Sequence, residues 1–210
     1  MKGLEEPHQS HASVHNFLSH ILATALIFSA CLFLSACNTG SRQEGSSEST
    51  TQDADTGNNQ RKAKATMEPA SGSQVSGEAK FTQEAENRVR FQLSVSNLPP
   101  GGEHAVHLHE KGDCSAEDAS SAGGHWNPTM KPHGRRGEGA YHKGDVGNMT
   151  ADSNGKAELD LVIEGWTIGG ADSTNILEKA VIIHAKPDDF TSQPSGNAGD
   201  RISCGVIKEG

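Results

Sequence analysis

Positive charge is scarce in this chain: 18 lysines and arginines stand against 27 aspartates and glutamates, a formal net charge of -9 at pH 7. A surface with that balance repels a polyphosphate, which excludes nonspecific nucleic-acid binding. Cysteine is scarce as well, four in 210 residues. Cys31 and Cys37 fall in an N-terminal apolar stretch, so only Cys114 and Cys204 are left for a folded domain. Helical periodicity is missing too. From Ala65 onward no window carries an apolar stripe at 3.6-residue spacing over three turns, which excludes a helical domain. Long apolar runs are confined to one place, Phe17 to Cys37. The chain is nonetheless long enough for one domain with a core of its own.

The single run, "FLSHILATALIFSACLFLSAC", is interrupted only by small polar residues and His20 and reads as an export signal. About 18 to 20 apolar residues also suffice to cross a bilayer, so an uncleaved anchor helix is the alternative. Its ending "LSAC" resembles the lipobox of bacterial lipoproteins, in which small residues precede a cysteine that is lipidated and becomes the new N-terminus. "FSAC", ending at Cys31, is a weaker match because Phe28 replaces the branched aliphatic residue. Residues 1–37 are therefore expected to be a lipoprotein-type signal with lipidation at Cys37. On either reading the domain is exported and held at a membrane, on a periplasmic or extracellular face. Residues 38–64 contain no aliphatic side chain larger than alanine. Such a segment cannot bury enough apolar surface to offset its ordering entropy, and it is expected to be a flexible tether with a reach of about 30 Å. In an oxidising compartment Cys114 and Cys204 are most simply a disulfide, the alternative being two buried thiols. Closing roughly 90 residues is worth about 4 to 5 kcal/mol in the chain-entropy model.

Beyond the tether the apolar positions alternate, so residues 65–210 are expected to be mostly strands. "VSGEAKF" (Val75 to Phe81) and "RVRFQLSV" (Arg88 to Val95) read as a hairpin around "TQEAEN", with Val89, Phe91, Leu93 and Val95 on one face. Further strands are expected at "EHAVHLH", "KAELDLVI", "KAVIIH" and "CGVI". Two long stretches rich in Gly, Pro and charge, Glu110 to Asp145 and Lys186 to Arg201, separate them. Loops of that length inside a compact domain are usually functional.

Histidine is what the chain has in excess. Seven of its eleven histidines lie in the domain: His104, His107, His109, His125, His133, His142 and His184. Side chains alternate across a strand, so His107 and His109 share one face and His104 points to the other. Two imidazoles so placed can share one metal, although a polar strand face is an equally good reading of an isolated H-x-H. His104 is expected to be structural. His125, His133 and His142 fall in the first long stretch, with Asp145 three residues after His142. Three imidazoles and a carboxylate suit zinc, which accepts N and O donors. His107, His109 and His184 make an all-imidazole set that suits copper.

The stretches "GEHAVHLHEKGDC", "AGGHWNP", "GDVGNMTADSNGKA", "AVIIHAKPDD" and "GNAGDRISCGVI" resemble copper-zinc superoxide dismutases. His133 stands eight residues after His125 and His142 nine further on, and the likeness runs from Ala65 to Ile207. It implies an all-β domain, an eight-stranded Greek-key β-barrel or flattened sandwich with two long functional loops. Copper ligands are implied at His107, His109, His125 and His184, and zinc ligands at His125, His133, His142 and Asp145, with His125 bridging both metals. The resemblance also implies a disulfide between Cys114 and Cys204, an active-site arginine at Arg201, and an aspartate, Asp188, linking the outer nitrogens of a copper and a zinc ligand. The implied activity is dismutation of superoxide to O₂ and hydrogen peroxide by copper redox cycling beside a structural zinc.

Some features depart from that pattern. The stretch "DDFTSQPSG" (residues 188–196) is short and lacks the guiding acidic and lysine residues of eukaryotic members. Asp200, beside Arg201, weakens attraction of an anion. Compensating charge would have to come from Lys111, Lys131, Arg135, Arg136, Lys143 or Lys186. The alternative from another class is a non-enzymatic exported lipoprotein of the same fold that binds copper or zinc. Every implied ligand position is filled, which favours the enzyme. A copper-delivery protein would want a further soft thiolate site, for which no cysteine is left. No diagnostic apolar patch separates a monomer from a homodimer.

Overall fold

On β3, Arg88–Ser96, the residues Val89, Phe91, Leu93 and Val95 are buried while Arg88, Arg90, Gln92 and Ser94 are exposed. This is the period of two that a pleated strand with one covered face imposes. The computed structural model describes residues 60–210. The expected signal, the lipidation site Cys37 and most of the tether lie outside the described residues.

The same rule builds β1 (Lys62–Pro69), β2 (Ser76–Ala85), β4 (Glu103–His109), β5 (Asp145–Thr150), β6 (Ala157–Glu164), β7 (Ala180–His184) and β8 (Arg201–Val206), with a two-residue β9 (Lys208–Glu209) beside β1. Eight strands follow one another in the order β5-β4-β7-β8-β1-β2-β3-β6, every pairing antiparallel. β5 and β6 come back alongside each other, so the sheet is a nearly closed barrel. Between β3 and β4, and again between β6 and β7, the chain crosses from one side of the barrel to the other, which is the Greek-key pattern expected from the sequence. Among the described residues the one helical turn is a 3₁₀ turn at Ser120–Ala122, and no helix is long and apolar enough to cross a membrane.

The barrel interior is filled by rings and aliphatics. Phe81 and Phe91 stack at 5.0 Å, and Trp166, fully buried, packs on both at 6.4 and 6.0 Å. β4 and β7 differ from β3 in being buried on both faces. Val106 and Leu108 join the barrel core. The other face lies under the two long loops, residues 110–144 and 185–200, whose backbones bond back to β4: Leu108 N–H donates to Gly144 O and Ala105 N–H to Lys186 O. Gly144 is required there, because a Cβ would overlap the Leu108 carbonyl. A smaller cluster of Ala70, Ala119, Ala122, Ala180 and Ile182 packs around the Cys114–Cys204 disulfide.

Three expectations are corrected. β1 begins at Lys62, inside the stretch read as tether, because Ala63 and Ala65 are core-facing residues whose small size hid the alternation. The first hairpin turns at Glu86–Asn87 and not over the whole of "TQEAEN". Gln83, polar but still in the strand, is satisfied by accepting from Ile168 N–H at 2.6 Å. Asp145 is the first residue of a strand and not the end of a loop.

Candidate metal centre

His107 and His109 project from β4 beneath the loops, and His184 ends the neighbouring β7. His125 is brought to His109 by an isolated bridge of backbone pairing. The structure thus brings together two groups of donors, His107, His109, His125 and His184 in one and His125, His133, His142 and Asp145 in the other. Within each group the donor atoms lie within 4.8 Å of one another, and all seven residues are buried. His125 belongs to both.

One nitrogen of most of these rings is already spoken for. His109 Nδ1–H donates to Gly123 O at 2.9 Å and His184 Nδ1–H to Gly199 O at 3.1 Å. His107 Nε2–H donates to Asp188 Oδ2 and His133 Nε2–H to Asp188 Oδ1, each at 2.9 Å. On His107, His109 and His184 the bond fixes a tautomer and leaves the other nitrogen as a bare donor, whereas His133 faces a carboxylate from each nitrogen. The other nitrogens of His107, His109 and His184, together with His125 Nε2, are buried without a hydrogen-bond partner, as is His104 Nε2 outside both groups, while His133 Nδ1 lies 3.0 Å from Asp145 Oδ2. A buried polar atom without a partner is costly. Four of them, on His107, His109, His125 and His184, converge on one space, which is the pattern of metal ligands, and an all-imidazole set beside an imidazole-carboxylate set fits copper and zinc.

Electrostatics agree. Burial first, and then neighbouring histidines, push His125 down to about 4 and His184 to about 3; His109 is likewise pushed well down. These rings stay neutral, as metal ligation demands. Burial would raise Asp145, but hydrogen bonds from His125, His133 and His142 outweigh it and hold the carboxylate ionised. Asp188 is lowered in the same way, burial being outweighed by the bonds from His107 and His133. His133 sits between the two carboxylates, and these overcome burial to raise it to about 9.

Arg201 opens β8 opposite His184. Its guanidinium donates to Ala119 O and Gly123 O, both at 2.7 Å, so Gly123 O serves Arg201 and His109 together. His104, on the barrel-facing side of β4, donates Nδ1–H to His184 O at 2.9 Å. The six candidate cations are not equal. Arg136 is half-buried: Nε–H donates to Asp145 O at 2.7 Å, another N–H reaches Lys143 O, and the group lies over Tyr141 and Trp166. Lys143 is spent on Gly165 O, Arg135 lies over Phe190, and Lys131 over Tyr141. Lys186 packs its stem on Gly199, next to the Arg201 segment. Sequence reasoning missed two carboxamides. Asn148, on β5, accepts from Asp188 N–H at 2.8 Å and donates to Asp188 O at 3.0 Å. Gln193 does the same for His133, with both bonds at 2.9 Å. Their partners are backbone atoms far away in sequence, which no motif signals.

An antiparallel barrel carrying two adjoining donor groups that share one imidazole defines a two-metal β-barrel protein. Comparison with known proteins makes the class specific. The family model for copper/zinc superoxide dismutase (SODC) matches residues 75–207, and the chain belongs to that family. It is 38% identical over 135 residues to superoxide dismutase [Cu-Zn] 1 of Aquifex aeolicus (strain VF5), covering 63% of this chain and 79% of that protein. It is 36% identical over 120 residues to the superoxide dismutase-like protein YojM of Bacillus subtilis (strain 168), covering 56% of this chain and 61% of that one. The crystal structure of a SOD-like protein from Bacillus subtilis superposes with a TM-score of 0.62 at 32% identity, covering 68% of this chain and 96% of its own.

Proposed function

We propose that this protein is a superoxide dismutase. His107, His109, His125 and His184 would hold copper, and His125, His133, His142 and Asp145 would hold zinc, with His125 shared. The observation that carries this reading is the set of bare, buried nitrogens aimed into one space. Copper, when bound, supplies a one-electron couple, so that two superoxide ions and two protons become one O₂ and one hydrogen peroxide.

The chain supplies the rest. Arg201, always protonated, offers donors to a small anion at the edge of the copper group, held there by the carbonyls of Ala119 and Gly123. His125 Nε2, on the copper side, could hold a proton for delivery to product, while Nδ1, 2.8 Å from Asp145 Oδ1, faces the zinc group and would keep the ring oriented there. Asp188 couples His107 to His133, so the two groups share one orientation. Membership of residues 1–37 in a lipoprotein-type signal with Cys37 lipidated, a tether from there to β1, and display of the domain outside the cytoplasm complete the reading. Their support is the sequence pattern.

A second reading, a metal-binding protein without activity, is favoured by the dismutase-like name of one relative. The intact donor set argues against it. The deciding experiment loads the full chain with copper and zinc and follows superoxide decay. One peroxide formed per two superoxides consumed, at a rate cyanide abolishes, is the expected result. Both metals bound without acceleration would establish the inert protein instead.

A further inference from the structure

We propose that Gln193 is a positioning residue for the zinc group, setting how slowly zinc is released by clamping the backbone of His133. The inference rests on the metal assignment above. Three of the four zinc-group residues have their backbones held near the site by other means. Asp145 lies in the β4–β5 ladder, His125 is bridged to His109, and His142 donates its N–H to Asp145 Oδ2 at 2.8 Å. His133 belongs to no strand or helix. Its N–H donates to Gln193 Oε1 and its carbonyl accepts from Gln193 Nε2, each at 2.9 Å. One side chain therefore replaces the pairing that a neighbouring strand would have provided. Both backbone polar groups of the ligand are satisfied by the opposite loop.

The ring of His133 is already oriented by Asp188 through Nε2, which leaves Nδ1 as the donor, 3.0 Å from Asp145 Oδ2. Orientation of a ring is useful only if the backbone carrying it stays in place. Of the contacts on the His133 backbone, the Gln193 pair is the one that crosses between the two loops. Gly196 closes the same corner: a Cβ there would overlap Asp188 Oδ1 and come within 2.7 Å of His133 Nε2. Residues 193–196 are thus fitted to His133. Copper-group residues touch neither atom of the Gln193 carboxamide, so the effect falls first on zinc and reaches copper only through Asp188 and His125.

The test loads the full chain with Zn(II) and Cu(II) and measures transfer of zinc to an excess of a chromogenic chelator, for wild type, Gln193→Ala and Gln193→Glu. Gln193→Ala is expected to release zinc about tenfold faster, the lower end of what outer partners of metal ligands contribute, because the carboxamide also touches solvent. Gln193→Glu keeps the acceptor for His133 N–H and loses the donor to its carbonyl, and is expected to fall between. Copper release changes less than zinc release, and the melting temperature of the metal-free chain stays unchanged. Equal zinc release in all three proteins overturns the proposal. So does faster loss of both metals with a lowered metal-free melting temperature, which marks general loosening. A wild-type chain that takes up no zinc overturns the metal assignment itself and the clamp with it. Should Gln193→Ala fail to fold, Gln193→Glu alone decides.

Discussion

The chemistry of single residues follows from which nitrogen each ring keeps bare. A ring whose Nδ1–H bonds a carbonyl offers Nε2 to a metal, as on His109 and His184; one whose Nε2–H bonds a carboxylate offers Nδ1, as on His107, and on His133 once Nδ1 gives up the proton it shares with Asp145. Arg201 is different in kind, since it contributes no donor atom to either group. Replacing Arg201 by Ala is therefore expected to lower dismutation, by at most the roughly hundred- to thousandfold that loss of a preorganised donor costs, with copper content unchanged. Parallel loss of copper and activity, measured by elemental analysis beside the rate, would make Arg201 structural instead. Arg136, half-buried, is less suited to contact an anion than Arg201, since its N–H groups are spent on the backbone at Lys143 and Asp145.

At the scale of elements, the strands that announce themselves are those with one wet and one dry face. β3 alternates without a break, and the spacing of His107 and His109 on β4 shows at once which face they share. β1 is less legible because its inward positions begin with two alanines. β5 is illegible because its side chains serve the loops: Asp145 belongs to a donor group and Asn148 holds Asp188. The donor residues could be named from their spacing against a known family. The clamps could not, since a carboxamide that bonds backbone leaves no mark on the sequence it serves. The disulfide joins β8 to the very loop whose carbonyls hold Arg201. With the cysteines 90 positions apart, its loss costs about 4 to 5 kcal/mol in the chain-entropy model. The Cys114→Ser, Cys204→Ser double variant is expected to melt roughly 10 °C lower and to lose activity as Arg201 is released. A shift under about 2 °C in a calorimetric scan would refute the bracing role.

For the whole molecule, two titrations oppose each other when metals are removed. His125 and His184, at about 4 and about 3 in the folded chain against an ordinary value near 6.5, bind protons more tightly when unfolded. They contribute stability above pH 6.5 that is lost as pH falls toward 3, and Asp145 and Asp188, held low, add to that loss below the ordinary carboxylate range. His133, raised to about 9, contributes stability below pH 6.5 that is lost as pH rises through 9. The melting temperature of the metal-free chain is accordingly expected to peak near neutrality and decline on both sides. A profile that keeps rising to pH 9 would contradict the charge state assigned to His133.

The net charge of -9 works against an anionic substrate at long range. On the proposed function, activity would depend on the local arrangement of Arg201 and the His107, His109, His125 and His184 group more than on attraction by the molecule as a whole. The most direct measurement is the cyanide-sensitive dismutation rate of the full chain, taken at fixed zinc over a series of copper loadings from none to one per chain. A rate that rises in proportion to copper and vanishes in its absence is the expected result. A chain that fills with copper and zinc yet leaves superoxide to decay at its spontaneous rate would contradict the assignment of this barrel as a dismutase.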